Sequence, residues 1–343
     1  MVRCARADEL SVIQQRLELG AGPWQTADPF LFCVHHLDVY PEGNGAFGPD
    51  ASLLGGRQIG QDFAGVDGWN MYHGESVPGF PQHPHRGFET ITFTRKGFVD
   101  HADSMGATAR YGRGDVQWMT AGKGIVHAEM FPLLNNDEPN TLELFQIWLN
   151  LPAANKMVEP HFTMFWEHDI PHVSADGVDI TVIAGSLGAA RPPMAPPASW
   201  ASHADSDIAI WHISLAEGAT WELPPATHAD TTRVLYLFEG DSLGVADDHV
   251  DQYSGAVLSA DDSVTLAAPS GGAECLVLQG RPIGEPVAQY GPFVMNNDDE
   301  IRQAFADYQA TQFGGWPWDV DGPVHGADDG RFAHHATGEI ERV

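Results

Sequence analysis

The chain has 343 residues, with 17 Lys and Arg against 47 Asp and Glu, for a formal net charge of −30. At about 150 residues per domain this length predicts two domains, and a hydrophobic content of 43% excludes general disorder. There is no basic footprint for phosphates, which excludes direct nucleic-acid binding through a charged face and attraction to an anionic membrane.

In chain order, the first residues lack the apolar stretch of a secretory signal, because Asp8, Glu9, Arg16 and Glu18 interrupt it. Residues 7–17 read as a short helix. Cys4, Cys33 and Cys275 are too dispersed for a disulfide framework, so a reducing cytoplasm is expected. No apolar run reaches the roughly 18 residues of a membrane helix. Short apolar runs then recur between turns: TITFT (90–94), DVQWM (115–119), LELFQIWL (142–149) and ITVI (180–183). A second series follows: IAIWHI (208–213), VLYLF (234–238), AVL (256–258) and CLVL (275–278). Runs this short, rich in β-branched and aromatic residues, predict an all-β sandwich or barrel.

Between the two series, RPPMAPPA (191–198) carries four prolines in six residues. Neither a helix nor a sheet interior tolerates that density, so the segment reads as a linker at the domain boundary. Residues 90–97 can be laid over residues 233–240 at an offset of 143, which predicts two copies of one β unit. Near the end, NNDDE (296–300) supplies a cap and an acidic first turn. Ile301, Phe305 and Tyr308 then share one helical face, and Gly314 and Gly315 stop the helix. The remaining tail is rich in Asp, Gly and His and reads as loosely ordered, with His325, His334 and His335 solvated.

Two short motifs carry chemistry. PQHPHRGFET (81–90) holds His83 and His85; GKGIVHAEM (122–130) holds His127 and Glu129. Residues two apart on a strand share a face and lie about 6.6–6.8 Å apart along it. Two such pairs across a barrel interior offer three imidazoles and one carboxylate to one ion. A set of N and O donors without thiolate argues against a structural zinc site of the Cys4 type. Four ligands leave two positions of an octahedron open, as a catalytic metal requires. Fe(II) suits such a site, with Mn, Ni, Co or Cu open. Glu89, four residues after His85, reads as a fifth ligand or a buried partner of the ligands.

Together with DPFL (28–31), GDVQWMTAGKGIVHAEM (114–130), QIWLNLP (146–152), KMVEP (156–160) and YGPFVMN (290–296), these motifs resemble the pirin family of the cupin superfamily. They occur in family order over roughly residues 28–315. The resemblance implies an all-β bicupin: two β-barrel, jelly-roll cupin domains face to face, with a C-terminal helix. The expected division is a metal-binding cupin domain at 1–185, a Pro-rich linker at 186–199 and a degenerate cupin domain at 200–318. The helix falls near 298–312, and an acidic, His-containing tail follows at 319–343.

The family's ligands fall on His83, His85, His127 and Glu129. They imply one divalent ion, Fe(II) first, with Mn, Ni, Co, Cu or Zn as alternatives. The same resemblance demotes Glu89 from the ligand set. In the second copy His228 lies over His85 but Ala226 replaces His83, so that copy reads as structural. The implied activity is that of a quercetin 2,3-dioxygenase, acting on a flavonol or a related enol or catechol-like aromatic. Glu129 is the first candidate to take the substrate proton and Glu89 the second. Trp118, Met119, Phe145 and Trp148 are candidates for a flat pocket or for core. The alternative function is a metal-dependent, redox-sensing regulator that binds a protein partner without catalysis. Either way a cytoplasmic protein is expected, with no direct nucleic-acid contact and no membrane.

Overall fold

Short strands build almost all of the regular structure, and central ones such as Val116–Thr120 and Ile125–Met130 are buried along their whole length. The computed structural model describes residues 11–20 and 22–343. The strands fall into two compact units that interleave in sequence. An aliphatic unit takes the described residues up to Phe30, then Ile170–Met194 and Ala201–Pro282; a histidine unit takes Leu31–Asp169, Ala195–Trp200 and Ile283–Val343. This differs from a contiguous division at 185 and 200. The Pro-rich stretch is shared between the units, and the helix lies with the histidine unit.

The histidine unit has a five-stranded antiparallel sheet in the order β10 (His161–Phe165), β7 (Val116–Thr120), β4 (Phe88–Lys96), β9 (Asn140–Asn150) and β2 (Phe30–Tyr40). A six-stranded sheet runs β24 (Ile340–Arg342), β23 (Phe332–His334), β6 (Thr108–Gly112), β5 (Phe98–Asp103), β8 (Ile125–Met130) and β3 (Gly79–His85). The sheets face each other: Phe88 and Trp148 of the first meet His85 of the second at ring-centroid distances of 5.0 and 5.4 Å. A hairpin of β21 (Ala288–Tyr290) and β22 (Phe293–Met295) leads into α1 (Asp298–Thr311). Asn297 caps the helix by accepting from the Glu300 N–H at 3.0 Å, and three carboxylates in the first turn oppose the helix dipole. Ile301 and Ala304 are buried beside Phe293 and Met295, as the expected helical face requires.

The aliphatic unit has a seven-stranded sheet in the order β1 (Ile13–Glu18), β18 (Ser254–Leu258), β15 (Thr232–Glu239), β20 (Ala273–Gly280), β13 (Ala209–Leu215), β12 (Val178–Ala184) and β11 (His172–Ala175). Its second sheet runs β14 (Thr220–Leu223), β19 (Val264–Ala267), β16 (Ser242–Val245) and β17 (Asp248–Asp251). Aliphatic side chains from both sheets fill the interior, among them Leu223, Leu235, Leu237, Val264, Leu266 and Val277. The strands matched by the offset of 143, β4 and β15, occupy the same position in their sheets: β4 lies between β7 and β9, and β15 between β18 and β20.

Two expectations are corrected here. The helix expected at 7–17 is a strand from Ile13 onward, paired antiparallel with β18; residues 7–10 lie outside the described residues. The tail is tied down rather than loose. Strand β23 pairs with β6, and a buried Arg110–Asp100 pair grips the chain before it. Arg110 donates to the carbonyls of Gly326 and His325 at 2.6 and 3.0 Å, while Asp100 accepts the His325 N–H at 2.8 Å. His325 also approaches the His101 carbonyl at 3.2 Å, and His335 pairs with Glu341. Among the described residues no helix is long and apolar enough to cross a membrane.

Candidate metal centre

Strands β3 and β8 pair with His83 opposite His127. This register, with the two-residue spacing on each strand, turns His83, His85, His127 and Glu129 toward the interior. The rings of His83, His85 and His127 converge, with centroids 4.4–5.0 Å apart. Each offers a nitrogen within 4.8 Å of the others.

Hydrogen bonding decides which nitrogens are available. His83 Nδ1 lies 2.9 Å from the Pro81 carbonyl, and His85 Nδ1 lies 3.4 Å from the Pro292 carbonyl. A carbonyl can only accept, so each Nδ1 carries the hydrogen and each Nε2 keeps its lone pair. Neither buried nitrogen of His127 has a hydrogen-bond partner. Buried polar atoms are rarely left this way, and a metal ion at the centre of the triad would engage one nitrogen lone pair of each ring. Burial pushes His83 down to about 4. Burial, with neighbouring imidazoles, holds His85 and His127 well below the ordinary histidine value. Neutral imidazoles are the form that binds metal. Among the described residues this is the one His, Cys, Asp and Glu group that converges in this way.

Glu129 stands beside the triad, with Oε2 4.0 Å from His127 Nε2. Gln146 Nε2 donates to that oxygen at 2.9 Å, and Tyr111 OH lies 3.4 Å from both Glu129 Oε1 and Gln117 Oε1 and can donate to one of them at a time. Thr92 Oγ1 lies 3.0 Å from Glu129 Oε1 and 2.5 Å from Gln146 Oε1, and can donate to one of them at a time. Burial raises the Glu129 pKa, with the nearby His101 and these hydrogen bonds opposing the rise.

The site opens into a cavity of about 190 Å³, with His83, His85, Glu129, Thr92 and Gln146 on its polar wall. Phe32, Phe80 and Trp148 are among its apolar lining; Phe32 and Trp148 stack at 4.7 Å. His83 also borders a larger outer cleft of about 1040 Å³, flanked by Glu75, Gln82, Asp319 and Asp321. Of the four aromatic and sulfur candidates, Trp148 lines the inner cavity. Trp118, Met119 and Phe145 are fully buried in the core.

Glu89 does not join the ligands. Gly87, at φ +86°, turns the chain between β3 and β4, and a Cβ there would meet the Val294 carbonyl oxygen at 2.0 Å. After the turn Phe88 and Thr92 face the cavity side, which sends Glu89 to the opposite face. There its carboxyl accepts from Thr120 Oγ1 at 2.6 Å and from Ser199 Oγ at 2.5 Å. Burial pushes it up to about 7. In the second copy, His228 sits in the loop before β15, its N–H on Asp207. Thr92, Tyr111 and Gln146 were not singled out from the sequence. The alternation along β4 and β9, which places Thr92 and Gln146 directly opposite each other, was the available signal.

Similarity to known proteins agrees with this geometry. The family description Pirin matches residues 55–149, and Pirin C-terminal cupin domain matches residues 210–314. A pirin-like protein of Caulobacter vibrioides is 40% identical over 68% of this chain and 80% of its own length. The chain belongs to the pirin family. Human pirin is 36% identical over 72% of this chain and 81% of its own. Among solved structures, a quercetin 2,3-dioxygenase from Acinetobacter baumannii superimposes with a TM-score of 0.68 at 26% identity, covering 88% of this chain and 98% of that one. The fold is thus the all-β bicupin fold of the pirins, and the histidine triad can hold a metal ion.

Proposed function

We propose that the histidine unit is a mononuclear metal dioxygenase of the quercetin 2,3-dioxygenase type, acting on a flavonol or a related enol or catechol-like aromatic. The observation that carries this reading is His127, buried with both nitrogens unpartnered beside His83 and His85, two imidazoles that line an aromatic cavity. His83, His85 and His127 would hold the ion, with Glu129 as fourth ligand. Fe(II) suits this donor set, with Mn, Ni, Co, Cu or Zn as alternatives. The bound ion would supply Lewis acidity and open positions for a hydroxy-ketone.

The chain's own groups do the rest. Glu129 Oε2 takes the substrate's hydroxyl proton. Gln146 keeps that oxygen oriented. Phe32 and Trp148 offer a flat apolar wall that orders a planar ring and keeps water out. The inner cavity is smaller than the roughly 300–1,000 Å³ of whole-ligand sites, so the remainder of a flavonol extends into the outer cleft. The free, buried thiols of Cys33 and Cys275 support a reducing, cytoplasmic location.

Metal-loaded protein supplied with quercetin and O2 is expected to consume O2 and release carbon monoxide. Absence of turnover with several flavonols and metals overturns the dioxygenase reading. Metal binding without turnover, together with specific capture of one protein partner, moves it to the regulatory alternative.

A further inference from the structure

The cavity wall opposite in character to the histidine triad is built by β2 and the segment that follows it. Phe32, Val34 and His36 alternate along β2 and all line the inner cavity. His36 Nδ1 lies 2.7 Å from Tyr72 OH. Tyr72 in turn donates to Asp38 Oδ2 at 2.7 Å. The other oxygen, Asp38 Oδ1, accepts from the backbone N–H and the side-chain amide of Asn70 at 2.8 and 3.0 Å.

This chain fixes a tautomer. A carboxylate can only accept, and Tyr72 has a single proton, which goes to Asp38. His36 Nδ1 is therefore the donor to the tyrosine oxygen, and Nε2 keeps a lone pair. Nε2 makes no hydrogen bond to any described residue. The ring is also clamped, edge-on to Tyr72 at 4.9 Å and to Phe80 at 6.1 Å, while Tyr72 and Phe80 stack at 5.0 Å. Burial holds His36 down at about 4, so the ring stays a neutral acceptor. A clamped acceptor with a fixed tautomer loses little freedom on engaging a ligand.

We propose that His36 Nε2 is a substrate-binding acceptor for a hydroxyl remote from the metal-chelating end of the substrate, with Tyr72 and Asp38 as its positioning residues. This rests on the flavonol reading and narrows it. The preferred substrate carries a chelating hydroxy-ketone and at least one further ring hydroxyl. An aromatic with the chelating group alone leaves His36 unpaired, and a site built to bind a hydroxyl discriminates against the analogue that lacks it.

The test is a binding titration of metal-loaded protein without O2, read by the absorbance of the bound flavonol. The two ligands share the 3-hydroxy-4-keto unit: 3-hydroxyflavone, with no further hydroxyl, and kaempferol, with hydroxyls on both outer rings. The wild type is expected to prefer kaempferol about tenfold, the worth of one good hydrogen bond. In His36→Phe that preference falls to about one, while 3-hydroxyflavone affinity and metal content hold. In Tyr72→Phe, which keeps the ring stack but releases the tautomer, the preference falls part of the way. That variant also carries the test should His36→Phe fail to fold. A preference unchanged in both variants, or absent from the wild type while both ligands bind, overturns the role of His36 alone. A wild type that binds neither ligand overturns the flavonol reading and this inference with it.

Discussion

Strand β8 of the histidine unit turns His127 and Glu129 inward. Strand β19 of the aliphatic unit holds the same place, second from the end of its sheet, and turns Val264 and Leu266 inward. The neighbours differ in the same sense. Strand β3 brings His83 and His85, whereas β14 brings Leu223. One strand arrangement therefore supports two interiors. In one, apolar side chains exclude water, each worth about 1.5–3 kcal/mol when fully buried. In the other, part of that stabilisation is given up for polar groups aimed at a cavity. The pairing of strands sets where inward positions fall, and the residues at those positions set whether there is chemistry.

If this division of labour holds, metal binding and core stability respond to different substitutions. The largest effect is expected for His127→Ala. Removing one of three converging imidazoles should weaken metal binding by more than about 100-fold, since loss of an outer hydrogen-bond partner alone costs about 10–100-fold. Metal analysis after gel filtration reads this, and stoichiometric retention breaks the assignment. Next comes Leu237→Ala in the aliphatic unit, expected to lower stability by about 2–5 kcal/mol through the cavity it leaves. Denaturant unfolding measures this, with metal content unchanged; a variant that folds but has lost its metal would show that the interiors are not independent.

Glu89 gives the histidine unit a pH signature of its own. Its pKa is raised from 4.5 to about 7 by burial, so the folded chain holds a proton that the unfolded chain has released. That contribution is complete below about pH 4.5 and is lost as pH rises through about 7. Glu89→Gln should flatten this fall, by up to about 3 kcal/mol at ~1.4 kcal/mol per pKa unit. Unfolding curves at pH 5 and pH 8 test it, and equal slopes in the variant and wild type refute it. The smallest change is Asn297→Ala at the cap of α1, about 1 kcal/mol. It should lower the melting temperature of the histidine unit alone, in a scan that resolves the two units.

The site was legible where local periodicity and function coincide. His-x-His and His-x-Glu, at a spacing of two, place their side chains on one face of any strand. Their convergence needed only that the strands pair, which β3 and β8 do. Glu89 misled because its four-residue separation from His85 spans a turn at Gly87 rather than one continuous strand. The first strand misled because Ile13 and Leu17, four apart, are also one face of a helix; only the distant partner β18 makes the segment extended. Thr92 and Gln146 are neutral residues with no metal-binding signature of their own, and their role appears when β4 and β9 pair. The tail was unreadable for a related reason. Its partners Asp100 and Arg110 lie more than 200 residues upstream, and Asp- and Gly-rich composition carries no trace of them.

The hairpin of β23 and β24 also decides how the six-stranded sheet ends. Without it, β6 would present its unpaired N–H and C=O groups along an open edge, a template for strand addition by another molecule. With it, the outermost strand is the three-residue Ile340–Arg342, short and bearing Glu341 and Arg342. Charges on a short edge strand discourage further pairing. Residues 332–342 thus cover the edge of β6, and a protein clipped after Gly330 is expected to precipitate at concentrations where the unclipped one stays dispersed.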